Sequence, residues 1–332
     1  MRCKHRGASA LGLIVVVMFG LPTAQAGIMG IAAMGASETA GTNFSGSWVP
    51  WLAVDRGLNF GPGQSYNVAV NGSRTQTLLN RGQHTEVAEL VANGDVNLAY
   101  LFIGGLDVPP VALDMILGTL DVPNWADGVV DRMMTAVDTI LAESPEGMVV
   151  AGLPDMTLVP GAASYAYIPG LAAPVVSAID YTNALIKEEV LSRGQVYLDV
   201  ASLMRDLRTE PFVVGGVTID MVTGSNTDPT HFFADDIHPG FVGNGVFANL
   251  LLTAMNEGFG TSHALFTDEE ILARAGLSDS YTGETANISF SPYVHVVPEP
   301  TSGALAIFAI ITCACMAMFR QRWQTGHRHL DV

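Results

Sequence analysis

Ile28-Met29-Gly30-Ile31-Ala32-Ala33-Met34-Gly35-Ala36-Ser37-Glu38-Thr39-Ala40-Gly41 is the stretch on which the reading of this chain turns. Residues 28–34 form a short apolar run of strand length, and residues 35–41 are a turn of small residues directly after it. Working outward, further apolar runs with β-branched residues recur at 66–70, 96–103, 148–153 and 196–200. Stretches of helical periodicity lie between them or follow them, at 75–92, 125–141, 172–192 and 241–257. Strands that alternate with helices are the mark of parallel pairing with crossover connections. The expectation is one α/β domain around a mostly parallel five-stranded sheet. No internal repeat is present, and composition does not change before about Thr282.

Composition removes several classes of protein. Of 332 residues, 49% are hydrophobic and 14% charged, which excludes a disordered or collagen-like chain. The net charge of −17, with no basic stripe, argues against nucleic acid as a partner. The three cysteines, Cys3, Cys313 and Cys315, all fall in the terminal apolar segments. The domain between them therefore has no disulfide, no thiolate nucleophile and no cysteine-bound metal.

The two ends read as targeting segments. Arg2, Lys4 and Arg6, an apolar run over 10–21 and the small-x-small triplet Ala24-Gln25-Ala26 describe a secretory signal peptide over residues 1–26, cut before Gly27. At the other end Val297-Pro298-Glu299-Pro300 precedes a 17-residue apolar run over 303–319, and Arg320, Arg322 and Arg328 follow it. That run is just long enough to cross a bilayer, and the basic tail favours a cytoplasmic C-terminus. Residues 298–332 resemble the PEP-CTERM sorting signal of exported bacterial proteins. The resemblance implies an exosortase-type processing enzyme as a partner, anchorage to the membrane through the C-terminal helix before processing, and delivery to the cell surface or extracellular matrix. Residues 27–297 carry 9 basic and 30 acidic residues, a balance of −21. Residues 282–297, poor in helix formers, read as an extended or strand-like linker after a domain over 27–281.

The chemistry is expected where strands end, since ligands of open α/β sheets bind beyond the carboxyl ends of the strands. Ser37 lies at the first such end. Some 200 residues on, Asp235-Asp236-Ile237-His238-Pro239-Gly240 precedes the last helix. A serine hydroxyl needs a base to take its proton, and an imidazole serves best when a carboxylate fixes its tautomer. Asp235 and His238 supply both partners within one loop. A serine in a Gly-rich turn, or an Asp-x-x-His in a loop, is by itself an ordinary turn or cap feature. The two signals gain meaning only if the fold joins them.

Together these blocks resemble the SGNH, or GDSL, hydrolases, over roughly residues 28–257. The resemblance implies a three-layer α/β/α flavodoxin-like fold and hydrolysis of carboxylic esters, with no cofactor. It implies Ser37 as nucleophile, His238 as base and Asp235 as the orienting acid. Gly72, in Val70-Asn71-Gly72-Ser73, matches the glycine that lends its N–H to the oxyanion hole beside that of Ser37. Gly104-Gly105-Leu106-Asp107 stands where the third block belongs, and Asp107 reads as a scaffold residue. Leu153-Pro154-Asp155-Met156-Thr157 resembles the fourth-strand exit. Two positions depart from the pattern: Ala36 replaces an Asp, and Leu106 replaces the Asn whose amide donates to the oxyanion. Losing one such donor typically lowers turnover by about a hundred- to a thousandfold, and a nearby polar side chain such as Asn71 is a candidate to stand in. The alternative reading is a weak or inactive surface protein that keeps the fold and binds matrix glycans.

Other polar and aromatic residues draw weaker expectations. His84, His231 and His263 show no metal-ligand spacing, although His231, near Asp228, can be drawn into the pocket. Asp235 and Asp236, being adjacent, do not suit a glycosidase pair. Trp48 and Trp51 read as core.

Overall fold

A computed structural model describes residues 27–297 apart from 42–45, 163–167, 169 and 285–287. The signal peptide and the C-terminal sorting segment read from the sequence lie outside the described residues. Among the described residues no helix is long and apolar enough to cross a membrane.

The chain enters through strand β1 (Ile31–Gly35) and a single helical turn α1 (Ser37–Ala40). Helices α2 (Thr75–Asn80) and α3 (Gln83–Ala92) then lead to β2 (Leu98–Phe102). Helices α4 (Ala112–Leu117) and α5 (Val122–Leu141) cross to β3 (Gly147–Ala151), and α6 (Ala173–Ser192) crosses to β4 (Val196–Leu198). Helix α7 (Val200–Thr209) is followed by a small separate sheet, β5 (Phe212–Val214), β6 (Val217–Gly224) and β7 (His231–Phe233). The long α8 (Phe241–Phe259), the short α9 (Asp268–Arg274) and β8 (Val294–His295) complete it.

The main sheet has the order β1-β2-β3-β4-β8, with β1 to β4 parallel and β8 antiparallel to β4. Every residue of β1, β2 and β3 is buried. Burial on both faces is why these strands read as continuous apolar runs instead of alternating ones. One face is covered by α3, α5 and α6, whose successive contacts form a helical layer. In α5 the buried stripe Val129, Met133, Ala136, Val137 and Ile140 has the three-and-four spacing of an amphipathic helix. The opposite face is covered by α8, buried at every position from Val242 to Met255, as expected of a helix apolar all round. The fold class is therefore α/β, in three layers about a mostly parallel five-stranded sheet.

Three expectations change. Residues 66–70 do not form a regular strand, yet they run beside the free edge of β1: Ala33 N–H donates to Tyr66 C=O (3.0 Å), Val68 N–H to Ala33 C=O (2.9 Å) and Val70 N–H to Gly35 C=O (3.2 Å). The fifth strand of the sheet is instead β8, from the stretch read as linker. A two-residue strand owes its existence to its partner, so its composition shows little. The single helix expected over 75–92 is two helices, broken where Gly82 takes φ +72°.

Because 66–70 lies on one side of β1 and β2 on the other, chain order reverses at β1. The crevice at such a switch point, beyond the strand ends, is where ligands of this architecture sit. It is occupied by the turn that carries Ser37.

Candidate active site

Gly35 ends β1 with φ +152°, and a Cβ built there would stand 2.0 Å from the Phe102 carbonyl oxygen. Only glycine allows this approach, so β1 can turn sharply into α1 while still paired to β2. Ser37 opens α1, 7% exposed. As the first residue of a helical turn it has no intrahelical acceptor for its N–H.

The second half of the site hangs from β7. Ala234 N–H donates to the His238 carbonyl (2.8 Å) and Gly240 N–H to the Phe232 carbonyl (2.6 Å), closing residues 234–239 into a tight loop ahead of α8. Within it, Asp235 Oδ1 accepts from the N–H groups of Ile237 (2.9 Å) and His238 (2.8 Å). This is the Asx-type turn that aspartate favours, and it leaves Oδ2 free to face the imidazole. His238 Nδ1 lies 2.6 Å from Asp235 Oδ2, and His238 Nε2 lies 2.8 Å from Ser37 Oγ. Burial pushes the Asp235 carboxyl upward, but the Ile237 N–H, the His238 ring and the His238 N–H outweigh it and hold the group below the usual aspartate range. Asp235 is thus ionised whenever His238 is to act as a base.

The three residues expected to act together do meet, across 201 positions of sequence. Such a serine–imidazole–carboxylate relay can deprotonate the hydroxyl and hold the resulting imidazolium.

The remaining positions fall differently. Gly72 sits at φ +74° in an exposed turn beyond Val70, tied to the Ser37 turn through the Val70–Gly35 hydrogen bond, and is not among the residues that line the crevice. Asn71 is exposed in the same turn and does not line the crevice around Ser37. Leu106 does line it. Asp107 is buried and accepts from Thr75 N–H (2.9 Å) and the Thr75 hydroxyl (2.8 Å), with Arg132 at 3.7 Å. It joins the turn after β2 to the start of α2, a scaffold position as expected. Asp155, 1% exposed, accepts from the Thr157 hydroxyl (2.6 Å) and from Arg205 of α7 (2.5 Å), which draws the loop after β3 against α7.

His231 is not part of this crevice. It lines a separate one beside Ser225 and Ala275, with Asp220 at 3.5 Å and Asp228 at 3.8 Å. Asp236 is exposed, and its backbone carbonyl accepts from Gly161 N–H (2.8 Å). Trp48 and Trp51 are fully buried, Trp48 edge-on to Phe60 and Tyr100 and Trp51 edge-on to Phe266.

Two residues of the site escaped the sequence reading. Gln83, 2% exposed at the start of α3, accepts from Gly35 N–H through Oε1 (2.9 Å) and donates to Ser73 Oγ through Nε2 (3.1 Å). One buried amide thus joins the turn carrying Ser37 to the turn carrying Gly72. Glu38 curls back so that Oε1 faces Ala36 N–H at 3.3 Å, on the wall of the crevice. Burial pushes its carboxyl up to about 7, against the N–H groups of Glu38 and Ala36 that lower it. A glutamine at a helix start and a glutamate after a serine carry no local signal, which is why neither stood out.

No known family profile matches the chain, and no curated protein does. Among solved structures it is similar to phospholipase A1 from Streptomyces albidoflavus NA297, at 21% identity over 68% of this chain and 99% of that one, with a TM-score of 0.45. An extracellular lipase from Streptomyces rimosus matches at 18% over 68% and 99%, TM-score 0.45. A putative acylhydrolase from Bacteroides fragilis NCTC 9343 matches at 18% over 70% and 88%, TM-score 0.43.

Proposed function

We propose that the chain is an exported serine hydrolase that cleaves carboxylic esters through an acyl-serine intermediate. The observation that carries the reading is the unbroken sequence of contacts Ser37 Oγ to His238 Nε2 at 2.8 Å and His238 Nδ1 to Asp235 Oδ2 at 2.6 Å. His238 takes the Ser37 proton as Oγ attacks the ester carbonyl carbon. The N–H groups of Ser37 and Gly72 hold the developing oxyanion. The carbonyl re-forms as the ester C–O bond breaks, and His238 gives its proton to the leaving alcohol. Water, deprotonated by His238, then attacks the acyl-serine; its C–O bond breaks, the His238 proton returns to Ser37 Oγ and the acid leaves, while Asp235 stabilises the imidazolium in both halves.

The itinerary belongs to the same proposal and is read from the sequence alone. Residues 1–26 direct export, and residues 298–332 act as a PEP-CTERM-type signal that holds the protein at the membrane until an exosortase-type enzyme processes it. The substrate is then an ester of an extracellular polysaccharide or lipid.

Leu106 in place of an amide donor favours a second reading, a glycan-binding surface protein with a residual site. A serine-directed fluorophosphonate separates the two. The hydrolase reading expects labelling that is abolished in Ser37→Ala and weakened in His238→Ala. A folded protein that does not label overturns it.

A further inference from the structure

The crevice beside Ser37 and His238 opens to solvent, and the space in and over it, open solvent included, is about 590 Å³. Its walls come from five parts of the fold: Phe102 ends β2, Leu106 follows it, Met156 follows β3, Met204 lies on α7, and Phe247 on α8. Phe102, Met156, Met204 and Phe247 are each at most 8% exposed, so they form a packed lining and not a mobile surface. Apart from His238, the sole ionisable side chain on the described lining is Glu38, and its carboxyl is pushed up by loss of hydration, as an apolar chamber requires.

We propose that this chamber is the acyl site and that it takes an unbranched apolar acyl chain longer than acetyl, so that the substrate is a medium-chain, lipid-like ester and not an acetylated glycan. The inference rests on the hydrolase reading above. An acetyl group would leave the apolar walls of Phe102, Leu106, Met156, Met204 and Phe247 to water. Sugar hydroxyls would lose their hydrogen bonds there without replacement. Methylene groups lose nothing and each gains transfer free energy from burial. The proposal also accounts for Leu106: where a polar amide would face the chamber, leucine completes the apolar wall.

The test is the full chain on p-nitrophenyl acetate, butyrate, hexanoate and octanoate, with fluorophosphonate labelling run in parallel. Burial of one methylene corresponds to about a fourfold gain in kcat/KM, so hexanoate is expected to exceed acetate by at least about 50-fold. Met204→Trp fills the chamber and is expected to lower the octanoate-to-acetate ratio at least about tenfold. If that buried position does not accept tryptophan, Leu106→Trp, half-buried at the rim, gives the same readout. Labelling together with acetate hydrolysed as well as hexanoate overturns the acyl-chain proposal and leaves the hydrolase standing. A protein that neither labels nor hydrolyses fails as a hydrolase. The chamber is then judged by binding of octanamide against acetamide to Ser37→Ala: tighter octanamide supports an apolar-chain site, and equal binding overturns it.

Discussion

The two sides of the Ser37 hydroxyl are built to different standards. On the base side every polar group has its partner: Asp235 takes two backbone N–H groups on one oxygen and the imidazole on the other, and His238 faces Ser37 at 2.8 Å. On the side where the proposed mechanism places the oxyanion, Leu106 stands where the resembled family has an amide donor, and Gly72 lies in an exposed turn outside the residues that line the crevice. Partners for a half-buried carboxylate and imidazole stabilise the resting fold, whereas a missing donor toward an absent oxyanion costs it nothing. Under the proposed mechanism, generation of the nucleophile thus rests on contacts that the resting fold already makes. Stabilisation of the proposed transition state does not, and that is the side on which this chain differs from the pattern it resembles.

The contrast is broken most sharply from the base side. Asp235→Asn keeps the shape of the loop but favours the wrong imidazole tautomer, and kcat on a short ester is expected to fall by about 10⁴. A loss below about tenfold would show that His238 does not work through Asp235. From the other side, Leu106→Asn restores a side-chain donor. Oxyanion donors are worth about 10²- to 10³-fold in kcat, so steady-state kinetics on p-nitrophenyl acetate are expected to show a gain of at least about tenfold. An unchanged kcat would mean that residue 106 does not face the developing charge.

Gln83 tests the seam between the two sides. Gln83→Leu leaves the Gly35 N–H and the Ser73 hydroxyl buried and unpaired, at a cost of about 2 to 5 kcal/mol measurable by urea unfolding. If Gln83 positions the two turns, kcat falls in the folded variant while KM holds. A stability loss with unchanged kcat assigns it to scaffolding.

The smallest effect concerns Glu38. Its folded carboxyl titrates near 7, above the ordinary value of 4.5, so between these values the folded state binds the proton more tightly than the unfolded chain. Stability from this group is then greatest below about 4.5, declines as pH rises toward 7 and stays level above it. Among the described residues that line the crevice, His238 is the sole other titratable side chain. Glu38→Gln is expected to raise Tm more at pH 8 than at pH 5, and an equal shift at both would contradict the burial of this carboxyl.

Much of the site was legible because its signals are local. Ser37 follows an apolar run and precedes small residues, and Asp235 and His238 stand three apart in a loop before a helix, with spacing that the backbone itself converts into a turn. The strands β1 to β4 were legible because burial on both faces demands continuous apolar runs. Residues 66–70, also mostly apolar but interrupted by Asn67, pair with β1 only through a few hydrogen bonds, since regularity at an edge depends on what lies beside it. β8 was hidden for the converse reason: Val294 and His295 have no pattern of their own and are a strand because β4 offers its free edge.

What the sequence determined by itself was the alternation of strands and helices, the identity of a serine, an aspartate and a histidine able to share a proton, and the apolar and basic segments at the two ends. Only the tertiary structure decided that Ser37 and His238 lie 2.8 Å apart, that Gln83 ties the two turns together, and that Leu106 faces a chamber walled by β2, α7 and α8. Periodicity and turn chemistry act between near neighbours in the chain, so they can be read from one segment at a time. Side-chain contacts across some 200 residues and the polarity of a cavity arise from packing all the segments together, and no single segment carries them.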